Sequence, residues 1–156
     1  MQEQILPAAI GDACEILALQ KLAFQSEARL YDDWTIAPLT QTLEELQAEF
    51  GRVTILKAQL GGVIVGSVRG AMRAEAVGVG RLMVSPEMQR RGIGGRLLGA
   101  IENYFPEARV FELFTGARSE QNIRLYRSLG YEITGEKKLS EKLTQVFMRK
   151  SCCVKD

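Results

Sequence analysis

Residues 82–98 read LMVSPEMQRRGIGGRLL, and the rest of the chain is understood outward from them. An apolar run ends at Val84, and Ser85-Pro86 opens a short loop. Three glycines and three arginines then sit where a helix begins, with Leu97, Leu98, Ile101 and Phe105 on one apolar face. The first turn of a helix has N–H groups without intrahelical partners, and the dipole adds partial positive charge there. Gly92, Gly94 and Gly95 have no Cβ, so a phosphate can approach their amides closely. Arg90, Arg91 and Arg96 add charge, and Arg grips phosphate oxygens in a bidentate way. The stretch reads as an anion cradle suited to a pyrophosphate. The plainer alternative is a glycine-rich helix start that permits tight packing, but three glycines then weaken the helix without return.

Two familiar phosphate loops do not match. A Walker A loop ends Gly-Lys-Ser/Thr, whereas Gly95 is followed by Arg96 and Leu97. The dinucleotide fingerprint needs glycine where Leu97 stands.

The flanking sequence sets this cradle in an alternating fold. Residues 3–9 read as a short strand stopped by Pro7. Helical spacing of Ile16, Leu19 and Ala23 continues to about residue 30, with Asp12 as its N-cap. Residues 31–39 read as a loop. A second helix runs to Phe50 with either Thr40 or Thr42 as its cap, and Thr42 with Glu45 has the spacing of a capping box. Residues 52–60, 62–72 and 76–84 are β-branched and glycine-punctuated, three strands of a meander with Gly61-Gly62 as a tight turn. A helix over 92–104 ends before Pro106. A strand over 109–115, a helix over 119–129 closed by Gly130, and a hairpin over 131–136 and 142–149 complete the chain. The order is β-αα-βββ-α-β-α-ββ. Residues 1–150 read as a single domain, and 151–156 as a tail.

Composition narrows the chemistry. The chain has 156 residues, 46% of them hydrophobic and 25% charged, which suits one globular domain. It has no histidine, which excludes a Ser-His-Asp triad, a Cys-His pair and an HExxH zinc site. A net charge of +1 argues against a general nucleic-acid binder. Cys14, Cys152 and Cys153 cannot build a two-bridge framework, and reduced thiols in a cytoplasmic protein are the simpler reading. The final Cys153-Val154-Lys155-Asp156 fits a prenylation box poorly. No apolar run approaches a membrane span, and no secretory signal opens the chain. The near-zero charge hides a split. Residues 1–51 carry nine acids and two bases, and residues 52–156 carry ten acids and eighteen bases.

Gln89-x-x-Gly92-x-Gly94, after a strand ending Leu82-Met83-Val84, resembles the acyl-CoA-binding motif of the GNAT superfamily of N-acetyltransferases. Asn122-Ile123-Arg124-Leu125-Tyr126, followed by Leu129-Gly130-Tyr131, resembles the family's second motif, and the likeness covers nearly the whole chain. It implies an α+β fold with a central, mostly antiparallel and partly parallel sheet of six or seven strands flanked by about four helices. It implies acetyl-CoA as cosubstrate, no metal, an amine acceptor on a small molecule or peptide, and a homodimer as one form of the protein. Leu82, Met83 and Val84 are then expected to pair with the pantetheine arm. Gln89, Arg90, Arg91, Gly92, Ile93, Gly94, Gly95 and Arg96 are expected to hold the pyrophosphate. Asn122 is expected to contact the pantetheine, and Tyr126 to give a proton to the departing thiolate.

The residues support that last pair independently. Asn122 and Tyr126 are four apart and share one helix face. A phenol and an alkyl thiol have similar pKa, so proton transfer between them is nearly balanced. The plainer readings are a core aromatic and a surface amide. Many family members place a Glu on the fourth strand where this chain has Gly78; Glu75 and Glu112 are the nearest strand carboxylates, and a water relay is the alternative. Tyr31, Asp32, Asp33 and Trp34 are candidates for holding a cationic amine, through charge and cation–π contact, against the plainer reading of a solvated loop. A non-catalytic acyl-CoA-binding or regulatory module, and more weakly an ATP-binding protein, remain the other readings.

Overall fold

The computed structural model describes residues 2–152; of the expected 151–156 tail, Ser151 ends the last strand and residues 153–156 lie outside the described residues. Seven strands form one sheet in the order β1-β2-β3-β4-β5-β7-β6. They are β1 (Gln4–Pro7), β2 (Thr54–Leu60), β3 (Val63–Arg73), β4 (Ala76–Val84), β5 (Val110–Gly116), β6 (Glu132–Lys138) and β7 (Thr144–Ser151). All neighbours are antiparallel except β4 and β5. Gly61 and Gly62 both have positive φ, at 58° and 82°, and link Leu60 to Val63 in a two-residue hairpin. That is the backbone a right-handed twist favours and that glycine adopts without strain.

Among the described residues six α-helices flank the sheet: α1 (Ala13–Ala23), α2 (Gln25–Tyr31), α3 (Ala37–Thr40), α4 (Leu43–Glu49), α5 (Ile93–Asn103) and α6 (Glu120–Ser128). Adjacent strand residues feed opposite faces. Ile55 packs with Ala13, Ile16 and Leu19 of α1 and Leu46 of α4. Leu56 packs with Leu97, Leu98 and Ile101 of α5 and Tyr126 of α6. Those three α5 side chains are fully buried, each worth about 1.5–3 kcal/mol of transfer free energy. Gly66 and Gly70 of β3 let α5 lie close, since a Cβ would come within 2.9 Å of Leu97 and 3.0 Å of Ile101.

Most boundaries fall within one or two residues of the sequence reading, and the sheet and its one parallel pairing match the α+β GNAT expectation. Thr42 caps α4 as the capping box requires: Glu45 N–H donates to Thr42 Oγ1 (3.1 Å) and Thr42 N–H to Glu45 Oε1 (2.9 Å). The helices differ from expectation. The first is broken at Phe24 into α1 and α2, because Phe24 packs with the α1/α4 cluster while Ala28 and Tyr31 are buried farther along. No breaker residue marks that joint. The expected 31–39 loop contains the single turn α3. Asp12 stands at the N-cap of α1 as expected but makes no side-chain capping bond; it closes a 3-10 turn, its carboxylate accepting from Ala9 N–H (2.9 Å) and Lys57 Nζ (2.9 Å).

Candidate functional site

The sheet opens in its middle. β4 and β5 pair only through Ala76↔Val110, Val77↔Phe111 and Gly78↔Glu112. Beyond Gly78 the β4 edge facing β5 has no ladder partner, although β4 stays paired to β3 as far as Val84 and β5 to β7 as far as Gly116. A bulge drives them apart. Gly80 faces Arg69 and Met83 faces Ser67, so Arg81 and Leu82 together oppose Val68, and Arg81 takes a positive φ of 50°. The extra residue also reverses which face the following side chains reach. Val77 and Val79 join the α5 core, whereas Met83 is buried against α1 and α4.

A cleft of about 920 Å³ occupies this opening. Leu82, Met83 and Val84 form one wall, and the start of α5 closes an end with Gln89, Arg90, Gly92, Ile93, Gly94 and Gly95. Gly92 has φ 83° and precedes α5; the first intrahelical bond runs from Arg96 N–H to Gly92 O (3.1 Å). The N–H groups of Ile93, Gly94 and Gly95 come before it, without intrahelical partners. Only Arg90 of the three arginines lines this cleft. Arg91 and Arg96 border a separate cavity of about 350 Å³ on the β1 side. Arg96 grips Glu3 there, through Nε at 2.6 Å and Nη2 at 2.8 Å, and that bond holds the Glu3 carboxyl below its usual pKa. Sequence spacing gave no sign of this partner, which lies 93 residues away.

The opposite wall joins α2 to α6. Asn122 Nδ2 donates to Glu27 Oε1 (3.1 Å) and Thr115 Oγ1 (3.3 Å), and Ser119 Oγ donates to Glu27 Oε2 (2.8 Å). Tyr31 Oη stands 2.8 Å from Ser119 Oγ and accepts from Arg118 N–H (3.0 Å). An ionised carboxylate only accepts, so the Ser119 proton points at Glu27 and Tyr31 donates to Ser119. The chain of donors runs Arg118 N–H, Tyr31, Ser119, Glu27. None of Glu27, Ser119 and Thr115 stood out in the sequence. Each is an ordinary polar residue whose partner is remote in the chain or set by the splay of the sheet.

The other candidates are placed as follows. Tyr126 is buried on α6, tilted against Tyr131 at 6.1 Å between ring centres, and is not a cleft-wall residue. Burial first, and the Glu27 charge second, push its phenol pKa well up, so it is neutral and no longer matched to an alkyl thiol as a free phenol would be. Tyr31 is buried with its hydroxyl committed to Ser119 and Arg118. Asp32 takes a left-handed conformation (φ 50°) that ends α2 and turns the chain away from the cleft; its carbonyl accepts from Lys142 Nζ (3.0 Å). Asp33 accepts from Thr35 N–H (2.9 Å) and Oγ1 (2.6 Å), bonds that lower its pKa. Trp34 is half exposed. The structure therefore does not gather Tyr31, Asp32, Asp33 and Trp34 into a cage on the cleft; residues 22–27, 29 and 30 line it instead. Gly78 carries no carboxylate into the opening. Glu75 and Glu112 face solvent beside Arg109 (3.6 Å) and Arg149 (3.7 Å). Among the described residues no His/Cys/Asp/Glu group is arranged to hold a metal, and no helix is long and apolar enough to cross a membrane.

Comparison with known proteins places this geometry. Residues 15–131 match the acetyltransferase (GNAT) family. A curated relative, UPF0157 protein YqkA of Bacillus subtilis (strain 168), is 26% identical over 120 residues, 77% of this chain. The chain spans about a third of that protein's length (34%). Among solved structures, PaiA N-acetyltransferase from Thermoplasma acidophilum, in complex with coenzyme A, is 16% identical with a TM-score of 0.80, over 97% of this chain and 100% of that one. YncA from Salmonella typhimurium, a putative acetyltransferase with its cofactor acetyl-CoA, is 18% identical with a TM-score of 0.78, over 100% and 96%. The ribosomal-protein-S18-alanine N-acetyltransferase from Escherichia coli is 15% identical with a TM-score of 0.80, over 96% and 93%. At these identities the structures share the fold.

Proposed function

The chain belongs to the acetyltransferase (GNAT) family, and from that premise we propose that it moves an acetyl group from acetyl-CoA onto a primary amine by direct attack. The observation that carries this reading is the parting of β4 from β5, which leaves strand backbone unpaired along a cleft that ends on an unpaired helix turn. Acetyl-CoA fits both features and supplies the activated thioester.

The chain's own parts divide the work. The free amides of Ile93, Gly94 and Gly95, with Arg90 and Gln89 beside them, receive the pyrophosphate. Backbone of Leu82, Met83 and Val84 on the unpaired β4 edge takes the pantetheine amides. A backbone N–H near Val84 polarises the thioester carbonyl where negative charge develops. Asn122, held by Glu27 and Thr115, borders the arm. Tyr126, kept neutral by burial and by the Glu27 charge, holds the proton for the leaving sulfur. Arg91 and Arg96 lie behind the loop, where Arg96 is spent on Glu3 and serves stability rather than the ligand.

Thiol release from acetyl-CoA, followed over a panel of primary amines, tests the reading. Amine-dependent release supports it. Tight acetyl-CoA binding with no release on any amine would make the chain a binding module instead. Tighter binding of ATP than of acetyl-CoA would overturn the cradle assignment.

A further inference from the structure

Glu27 is the feature of the cleft that acetyl-CoA binding leaves unused. Glu27 is half buried, where a carboxylate charge is favoured by a nearby cation. Among the described residues none stands within ion-pair distance of it. Neutral donors hold it instead: Ser119 Oγ on one oxygen and Asn122 Nδ2 on the other. Each oxygen keeps a lone pair free. The helix that carries it lies with α1, and its hydrogen bonds reach across to α6, so the charge sits where the two sides of the opening meet. Glu120, the other acid on the cleft wall, is exposed and lies 3.9 Å from Arg124.

Resting on the acyl-transfer reading above, we propose that Glu27 binds the ammonium of the acceptor amine and takes its proton, and that the acceptor is a monoamine with one positive charge. The second half follows from the rest of the wall. Arg29 and Arg118 border the same region without acid partners among the described residues, and Leu22, Ala23, Phe24 and Leu30 supply apolar surface. One ammonium finds one carboxylate there; further ammonium groups meet arginine. The titratable groups facing Glu27 are Tyr31 and Tyr126, with Arg29 and Arg118 nearby.

The step balances. The ammonium gives one proton to the Glu27 carboxylate. The freed lone pair forms a C–N bond to the acetyl carbon, and the C–S bond breaks with its electron pair staying on sulfur. The second nitrogen proton passes to sulfur by way of the Tyr126 hydroxyl. The products are the amide and CoA thiol, and Glu27 returns its proton to water.

The test uses the whole protein with acetyl-CoA, 2-phenylethylamine and spermidine. Wild type is expected to favour 2-phenylethylamine in kcat/KM. Glu27→Gln should raise KM for that amine about 10- to 100-fold, the worth of one charged hydrogen bond, and the KM for acetyl-CoA by about threefold or less, since Asn122 keeps its bond to Thr115. That deficit should shrink as the pH rises toward about 10, where an alkyl amine sheds its charge. A deficit in a merely structural variant would not change with pH. Glu27→Asp, which keeps the charge, should fall between the two and serves if the Gln variant does not fold. An unchanged amine KM in Glu27→Gln, a pH-independent deficit, or a preference for spermidine would overturn the proposal while leaving acetyl transfer intact. No transfer to any amine by wild type would instead remove the reading beneath it.

Discussion

Tyr31, the last residue of α2, fills the space that a side chain on Gly116 of β5 would need. A Cβ built on Gly116 falls onto the Tyr31 hydroxyl and the adjoining ring carbons. The same hydroxyl accepts from Arg118 N–H and donates to Ser119, which in turn holds Glu27. One close approach between a tyrosine and a glycine thus locks α2 against the open end of β5.

This contact predicts a coupling. Gly116→Ala should destabilise the fold by about 1–3 kcal/mol through overpacking. Tyr31→Ala should also destabilise, but the double variant should cost less than the sum, because the small side chain removes the clash. Denaturant unfolding of the four proteins measures it; strict additivity would mean the two residues do not compete for space.

The cradle arginines should differ in effect. Arg90→Ala is expected to weaken acetyl-CoA about tenfold, as the loss of one charge-assisted phosphate contact would. Arg96→Ala is expected to change acetyl-CoA affinity by about twofold or less and to lower stability, because its guanidinium is spent on Glu3. Calorimetric titration of both variants separates the roles, and equal losses would place Arg96 on the ligand.

Gly94→Glu tests the helix start without backbone strain. A Cβ there meets only Leu125 at 3.5 Å and Val84 at 3.8 Å, and φ is not positive. The added carboxylate should reduce acetyl-CoA affinity by about a hundredfold or more, since it carries negative charge into the proposed phosphate site. The melting temperature should change little; unaltered affinity in the folded variant would remove the phosphate site from α5.

The Asp12–Lys57 pair gives a pH signature. Lys57, then the Ala9 N–H, hold the Asp12 carboxyl below its ordinary range. A depressed carboxyl stabilises the fold above its unfolded value, and that contribution disappears as pH falls through the folded value. Wild type should therefore exceed Asp12→Asn by about 0.5–1 kcal/mol at neutral pH, with the gap closing below about pH 4. A gap that persists at pH 2 would assign the effect to something other than ionisation.

Tyr126 is raised by burial and by Glu27, so its neutral form is the one present across the working range. The kcat profile should lack a descending phenol limb up to about pH 10. Tyr126→Phe should lower kcat about 10- to 100-fold with little change in the KM for acetyl-CoA. A variant with full kcat would assign the sulfur's proton to another donor.

The fold was legible where local chemistry decides it. The capping box at Thr42 and Glu45, the Gly61-Gly62 turn, the glycine stop at Gly130 and the apolar face of α5 are short-range signals, and each stands where spacing put it. The joint at Phe24 was not legible, because packing breaks that helix and no breaker residue marks it. The site divides the same way. The glycine-rich helix start at Gly92 lies within one contiguous stretch and can be read. Glu27 with Ser119 and Asn122, Arg96 with Glu3, and Tyr31 with Gly116 are separated by 85 residues or more, and side-chain pattern holds no record of such pairs. Asp32, Asp33 and Trp34 looked apt as a cluster, but a left-handed turn at Asp32 carries them away from the cleft.

Acetyl transfer is read most directly by mass spectrometry of 2-phenylethylamine after incubation with acetyl-CoA and the purified protein, run beside Gly94→Glu. The expected result is amine carrying one acetyl group, formed in step with free CoA thiol and absent with the variant. Acetyl-CoA that stays intact in the presence of every amine offered, or product that forms equally well with Gly94→Glu, would contradict transfer from the β4–β5 cleft.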